Sequence, residues 1–337
     1  MKTLLPLLLS ASLCQAQTPA PPAYQVAATW PVSGQGGWDY LSADPVGQRL
    51  YVAHGTQVEV LDLATGRLVG TIADTPGVHG VLVVPALGKG FITCGRNDAV
   101  RVFDPKTLQV TATVPTGTKP AALLYDPASG RLFVFNNGTT TATVLEAATA
   151  RVVGTAELGG APETGVSDGK GTIFVNLADR SEVVAFDAKT LAVKHRWPLA
   201  PGENPSGLAL DPVHHRLFSV CANGQLLVLS AENGEKLAEL PIGGGADGVV
   251  FDPGRQVALI SNGSGSLTVV REESPGTFRV VQTLATARGA RTISLDPRTH
   301  RAFLPAAELG PAPAAVAGGS RPRPSIVPGT FRILVVK

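Results

Sequence analysis

Three observations predict an all-β chain folded as a seven-bladed β-propeller closed by an N-terminal strand that completes the last blade. The first is a repeat. Residues 47–72 (GQRLYVAHGTQVEVLDLATGRLVGTI) read as three short strands joined by turns, and 38–44 (WDYLSAD) supplies a fourth before Pro45. Proline cannot donate to a strand ladder, so Pro45 closes that strand. A four-strand unit of roughly forty residues has the period of a propeller blade. The second is register. Strand-ending pairs stand at Asp44-Pro45, Val84-Pro85, Asp126-Pro127, Asp168-Gly169, Asp211-Pro212, Asp252-Pro253 and Asp296-Pro297, in steps of 40, 42, 42, 43, 41 and 44 residues. The third is an orphan strand near the N-terminus, opposite a last repeat that lacks one.

Within the unit, 49–53 (RLYVA) and 58–61 (VEVL) carry β-favouring residues and alternate as half-buried strands do. The segment 62–66 (DLATG) has the small polar residues that let a chain reverse. Blade 1 spans 38–73, blade 2 78–114, blade 3 120–158, blade 4 162–199, blade 5 205–242 and blade 6 246–284. Blade 7 has strands at 291–296, 301–304 and 331–336, one short of four. The segment 24–30 (YQVAATW) resembles the outer strands 67–72 and 151–157, and is expected to fill the vacancy. Closure of the ring removes open edges. One stretch breaks the pattern: 305–329, rich in Pro, Ala and Gly, sits between the second and third strands of blade 7. Glu308, Arg321 and Arg323 are its charges. A connection of this length is expected to be a lid, a partner-docking arm or a surface insertion.

Composition narrows the function. The net charge is only +2 and charged residues make up 16%, so the electrostatics do not point to nucleic acid or an anionic membrane. Lys2, the apolar run 4–9 and the small residues before Gln17 form a secretory signal, expected at 1–16 with cleavage before Gln17. Acylation at Cys14 is the alternative. The run is too short to span a bilayer. A Pro-rich tether follows at 17–23, so the mature propeller is expected to cover 24–337 in the periplasm or beyond, as a monomer. The remaining cysteines, Cys94 and Cys221, lie in blades nearly opposite one another and read as small buried residues.

The inner strands of a propeller line its channel. Five residues before each anchor stand Asp39, His79, Ala121, Glu163, Ser206, Asp247 and Arg291. Six are polar, whereas the flanking positions read as small or apolar. Trp38, His54, Arg96, Asn97, Lys119, Asn136, Asn137, Asp179, Arg180, Asn204, Asn223, Asn262 and Arg288 join them on the rim. Carboxylates, histidine and arginine mixed in one ring suit a polar ligand or a divalent cation, and Asp39, His79 and Asp247 are candidates for converging on a metal. No HExxH, GxSxG, Gly-rich phosphate loop or CxxCH haem site is present, so no cofactor is indicated.

The segments RLYVAH (49–54), VEVLD (58–62), GRLVGTI (66–72), VRVFD (100–104), IFVN (173–176) and VVAFD (183–187) resemble the repeats of the YVTN family of bacterial seven-bladed β-propellers (YncE-like proteins). The likeness covers nearly the whole mature chain, although Ala53-His54 stands where the family motif has Thr-Asn. It implies a propeller exported from the cytoplasm. Copper reductases of this shape build a histidine ring, and only His54 and His79 stand on the rim here. The function expected is a scaffold that binds a small polar ligand or a periplasmic protein at the channel mouth. The alternatives are a metal-assisted hydrolase or lyase at the same rim, or an accessory factor for a periplasmic redox enzyme.

Overall fold

The computed structural model describes residues 23–34, 36–311 and 324–337. The expected leader, nearly all of the tether, and Arg321 and Arg323 lie outside them. The chain forms seven four-stranded antiparallel sheets. In blades 1 to 6 the four strands follow chain order from the channel outwards, as in Trp38–Asp44, Arg49–His54, Gln57–Asp62 and Leu68–Ile72 of blade 1. Blade 7 takes Ser294–Asp296, Arg301–Ala306 and Arg332–Val336 from the C-terminal end, and Val26–Pro31 as its outer strand. Trp30 pairs with Ile333, and Gln25 and Lys337 exchange backbone hydrogen bonds at 2.9 Å in both directions. One blade thus joins the two ends of the described chain.

The anchors work through side-chain capping. The Asp44 carboxylate accepts the backbone N–H groups of Val46 and Gly47, and Asp211 does the same for Val213 and His214. An Asp at this place closes the turn between inner and second strands. Blade 2 has Val84 there, cannot make the cap, and turns through a short 3-10 helix at Pro85–Leu87 instead.

The half-buried alternation expected for the middle strands is corrected by the fold. Leu50, Tyr51, Val52 and Ala53 are consecutive and all fully buried, because each blade is covered on both faces by its neighbours. Seven apolar clusters result, one across each boundary between blades. The outer strands face solvent instead, and the consecutive residues Leu68 and Val69 are both exposed.

The insertion in blade 7 begins later than expected. Pro305 pairs with Ile333 and still belongs to the second strand. Its ends then form a short stem: Leu309 bridges Ile326, Val327 donates to the Glu308 carbonyl at 2.9 Å, and Gly310 donates to the Ser325 carbonyl at 2.8 Å. Leu309 and Ile326 pack on the core shared by blades 7 and 1. No helix among the described residues is long and apolar enough to cross a membrane.

Candidate functional site

The inner strands of blades 1 to 6 share one irregularity. Their register shifts near the strand start, between Trp38 and Leu41 in blade 1 and between Val78 and Val81 in blade 2, for example. Bulges re-aim side chains. Two successive residues of a strand therefore reach the channel, as Asp39 with Tyr40 and Glu163 with Thr164 do. The channel mouth opens into a cavity of about 700 Å³ lined by Asp39, Tyr40, His79, Arg96, Lys119, Asn137, Glu163, Thr164, Asn204, Ser206, Asp247 and Arg291, among others.

The polar ring is joined in pairs, each across adjacent blades. His79 Nδ1–H donates to Asp39 Oδ2 at 2.5 Å. Arg291 Nε–H donates to Asp247 Oδ2 at 2.8 Å. Asn137 Nδ2–H donates to Glu163 Oε1 at 2.8 Å. Complementary groups in neighbouring blades hold one another at fixed positions, which preorganises the cavity wall. Ser206 Oγ donates to the Ala246 carbonyl at 3.3 Å and points along the wall.

This geometry moves the proton affinities. The hydrogen bond to Asp39 raises the His79 imidazole above its ordinary value, with burial opposing and Glu163 adding to the rise. Burial, then the charges of Asp247 and Asp39, pushes Glu163 up to about 7. Burial disfavours the charge on Arg291, and Asp247 and Asp39 more than offset it. Near neutral pH the cavity holds a carboxyl that exchanges its proton, beside an imidazole whose hold on its proton is strengthened.

The floor was not foreseen. The Tyr40 hydroxyl donates to the Asp247 carbonyl at 2.8 Å and lies 3.3 Å from Thr164 Oγ1, so one side chain of blade 1 reaches blades 6 and 4 across the channel. Beneath it is a smaller cavity of about 130 Å³, lined by Leu41, Val81 and Leu123 among others. The signal lay one residue beyond the ring. Four residues before each anchor stand Tyr40, Gly80, Ala122, Thr164, Gly207, Gly248 and Thr292. Six small residues leave room for one tyrosine. A Cβ at Gly207 would lie 2.7 Å from the Asp247 carbonyl oxygen, and one at Gly248 would lie 3.0 Å from the Ile293 nitrogen. Glycine there lets neighbouring inner strands approach closely.

Three expected site residues lie away from the cavity. Trp38 is 8% exposed and stacks on Phe331 with ring centroids 5.5 Å apart, inside the core of blades 7 and 1. Asn136 is fully buried and donates to Thr141 and Thr143 within its own blade, as Asn262 does to Ser266 and Thr268 in blade 6. These asparagines end their strands and bind structure. Arg288 stands exposed on the rim outside the cavity lining. His54, also expected on the rim, is 1% exposed, with its ring 4.3 Å from that of Phe331.

The suggested convergence of Asp39, His79 and Asp247 on a cation is not what the geometry gives. Asp39 is engaged by His79 and Asp247 by Arg291, and among the described residues no group of three such side chains is arranged to hold a metal. Cys94 and Cys221 are buried free thiols, and burial pushes Cys221 up to about 12. A second cavity, of about 400 Å³, lies between blades 5 and 6 near the inner-strand anchors. There His214 is paired with Asp211 at 2.6 Å and Arg216 with Glu272 at 3.3 Å, so its wall is largely self-neutralised.

No family model and no curated protein matches the chain. Solved structures do. Hydrazine synthase from Kuenenia stuttgartiensis aligns with a TM-score of 0.70 at 16% identity, over 81% of this chain and 94% of that one. A chain of a mitotic checkpoint complex aligns with a TM-score of 0.73 at 13% identity, over 90% of this chain and 95% of that one. At these identities the likeness is one of fold. It places the chain among seven-bladed propellers, a fold that commonly serves as a binding scaffold and hosts many unrelated activities.

Proposed function

We propose that this protein is an exported propeller of the YVTN type that binds a small polar molecule in the channel mouth. Export rests on residues 1–16, and the family reading rests on the repeat segments. The observation that carries the binding reading is the Tyr40 bar. It spans the channel from blade 1 to blades 4 and 6 at the base of a cavity of about 700 Å³. Pockets that enclose small ligands have such volumes and a few convergent polar groups. A scaffold for protein partners alone has no need of a closed floor or of a fixed ring of opposite charges behind its rim.

The test is a thermal-shift and native mass spectrometry screen of the mature chain against a panel of small polar compounds. A bound compound should be lost or weakened at least tenfold in Arg291→Met and in His79→Asn, with His195→Ala as a control on an outer strand. If no compound binds, or if every hit survives both variants, the reading is wrong.

An acid–base enzyme is the second reading. It is favoured by one observation: His79, held by Asp39, shares the cavity with Glu163, whose proton affinity is pushed up to about 7 while that of His79 is also raised. General acid–base catalysis uses groups tuned in this way. Turnover of a bound compound that fails in both Glu163→Gln and His79→Asn would establish it. Binding without turnover would leave the protein a carrier or sensor.

A further inference from the structure

The charges of the funnel are unevenly satisfied. Arg291 is matched by Asp247, and His79 by Asp39. Glu163 is held by Asn137 and is uncharged when it carries its proton. Arg96 and Lys119 remain. Both line the cavity from exposed loops at its lip, Arg96 in blade 2 and Lys119 where the chain enters blade 3. Neither side chain has an ion-pair or hydrogen-bond partner among the described residues. Arg96 and Lys119 therefore set two cations side by side on one side of the cavity mouth.

Lys119 also occupies a position where its backbone is strained. Its φ is +54°, in the left-handed region. Seven residues before the anchor, Gly77, Gly245 and Gly289 in blades 2, 6 and 7 have φ of +65°, +66° and +86°, and Asn204 in blade 5 has +48°. Glycine adopts this conformation without penalty and lysine does not. The Asp98 carboxylate accepts the Lys119 backbone N–H at 2.8 Å and fixes the loop. Blade 3 thus places a long cation in a left-handed conformation that glycine takes in three other blades.

We propose that Arg96 and Lys119 form an anion clamp at the lip of the funnel, which takes the carboxylate or phosphate of a small organic acid while Asn137, Glu163 and Ser206 hydrogen-bond its polar remainder. This rests on the small-molecule reading of the cavity and specifies the ligand's charge. Guanidinium and ammonium groups suit oxyanions, the first as a planar fork and the second as a point charge. The matched pairs deeper in the wall add no net field against an anion.

The experiment is calorimetric titration of the mature chain with D-galacturonate, citrate and glycerol 3-phosphate, each at low and high salt. The uncharged counterparts D-galactose and glycerol, and the diamine putrescine, are run alongside. At least one acid should bind, at least tenfold more tightly than the uncharged compounds, and weaken as salt rises. Arg96→Gln combined with Lys119→Gly should weaken that acid at least tenfold, while the melting temperature holds or rises, because glycine relieves the backbone at 119. Acids that bind no better than their counterparts, or that bind the double variant unchanged, overturn the clamp. Galactose, glycerol or putrescine binding in a manner sensitive to Arg291→Met would then leave the funnel standing as a binding site for another ligand class. Binding of none of the six overturns both.

Discussion

The hydroxyl of Tyr40 donates to the backbone carbonyl of Asp247, 207 residues further along the chain and on the far side of the channel, at 2.8 Å. Asp247 in turn holds Arg291 through its carboxylate. The floor and the wall of the funnel are therefore one connected unit, and disturbing either acts on the other.

Removal of the tyrosine hydroxyl tests that unit. Tyr40→Phe loses the bond to Asp247 and the contact with Thr164 while it keeps the ring. A buried hydrogen bond contributes about 1 kcal/mol net, and an acceptor left unsatisfied costs more. Urea unfolding of Tyr40→Phe should show a loss of roughly 1 to 2 kcal/mol. Tyr40→Ala should merge the two cavities into an open channel, visible in a crystal structure of the variant. A side chain from another blade filling the gap would show that the bar is not specific to Tyr40.

Glu163 predicts a stability profile. Its proton affinity rises from the ordinary value of 4.5 in the unfolded chain to about 7 in the fold. The folded state holds the proton more tightly, so stability falls as pH rises between these values and stays lowered above them. The raised His79 acts in the same direction, since its contribution is present below its ordinary 6.5 and lost above its folded value. Glu163→Gln keeps the acceptor for Asn137 and removes one titration. It should be more stable than wild type by roughly 1 to 3 kcal/mol at pH 8 and indistinguishable at pH 4. Equal stability of the two proteins at pH 8 would show that Glu163 is not raised.

The Asp39–His79 pair predicts a spectroscopic change. Asp39→Asn removes the carboxylate that favours the imidazolium, leaving burial to disfavour it. The His79 ring should then titrate at lower pH than in wild type, followed by the chemical shifts of its ring protons, with His195 as an exposed reference. An unchanged titration would mean that the hydrogen bond does not hold the proton on His79.

The close approach at Gly207 predicts a steric penalty. Gly207→Ala places a methyl group against the Asp247 carbonyl and the Val249 nitrogen, both backbone atoms that cannot turn aside. Overpacking of this kind costs about 1 to 3 kcal/mol. Thermal unfolding should drop by several degrees, whereas Gly130→Ala, where a Cβ would meet open space, should cost only its backbone strain. A Gly207→Ala protein as stable as wild type would mean that blades 5 and 6 can move apart without cost.

The number of blades, their order and the closing strand were legible in the sequence. They follow from local physics repeated seven times: Pro and Asp at strand ends, small polar turns, and a 40- to 44-residue step between anchors. The ring of Asp39, His79, Glu163, Asp247 and Arg291 was legible for the same reason, because equivalent positions can be compared by counting. Counting alone does not show which faces are covered, and it misplaced Trp38 and Asn136, which point into the core between blades and into their own blade. Only the closed ring decides that His79 meets Asp39, that Arg291 meets Asp247 and that Tyr40 crosses to both blade 4 and blade 6. Those contacts depend on distances across the channel, which are set by bulges in the inner strands and by how tightly neighbouring blades pack. No local stretch of sequence encodes such a distance, and it comes into being when the first and last strands join.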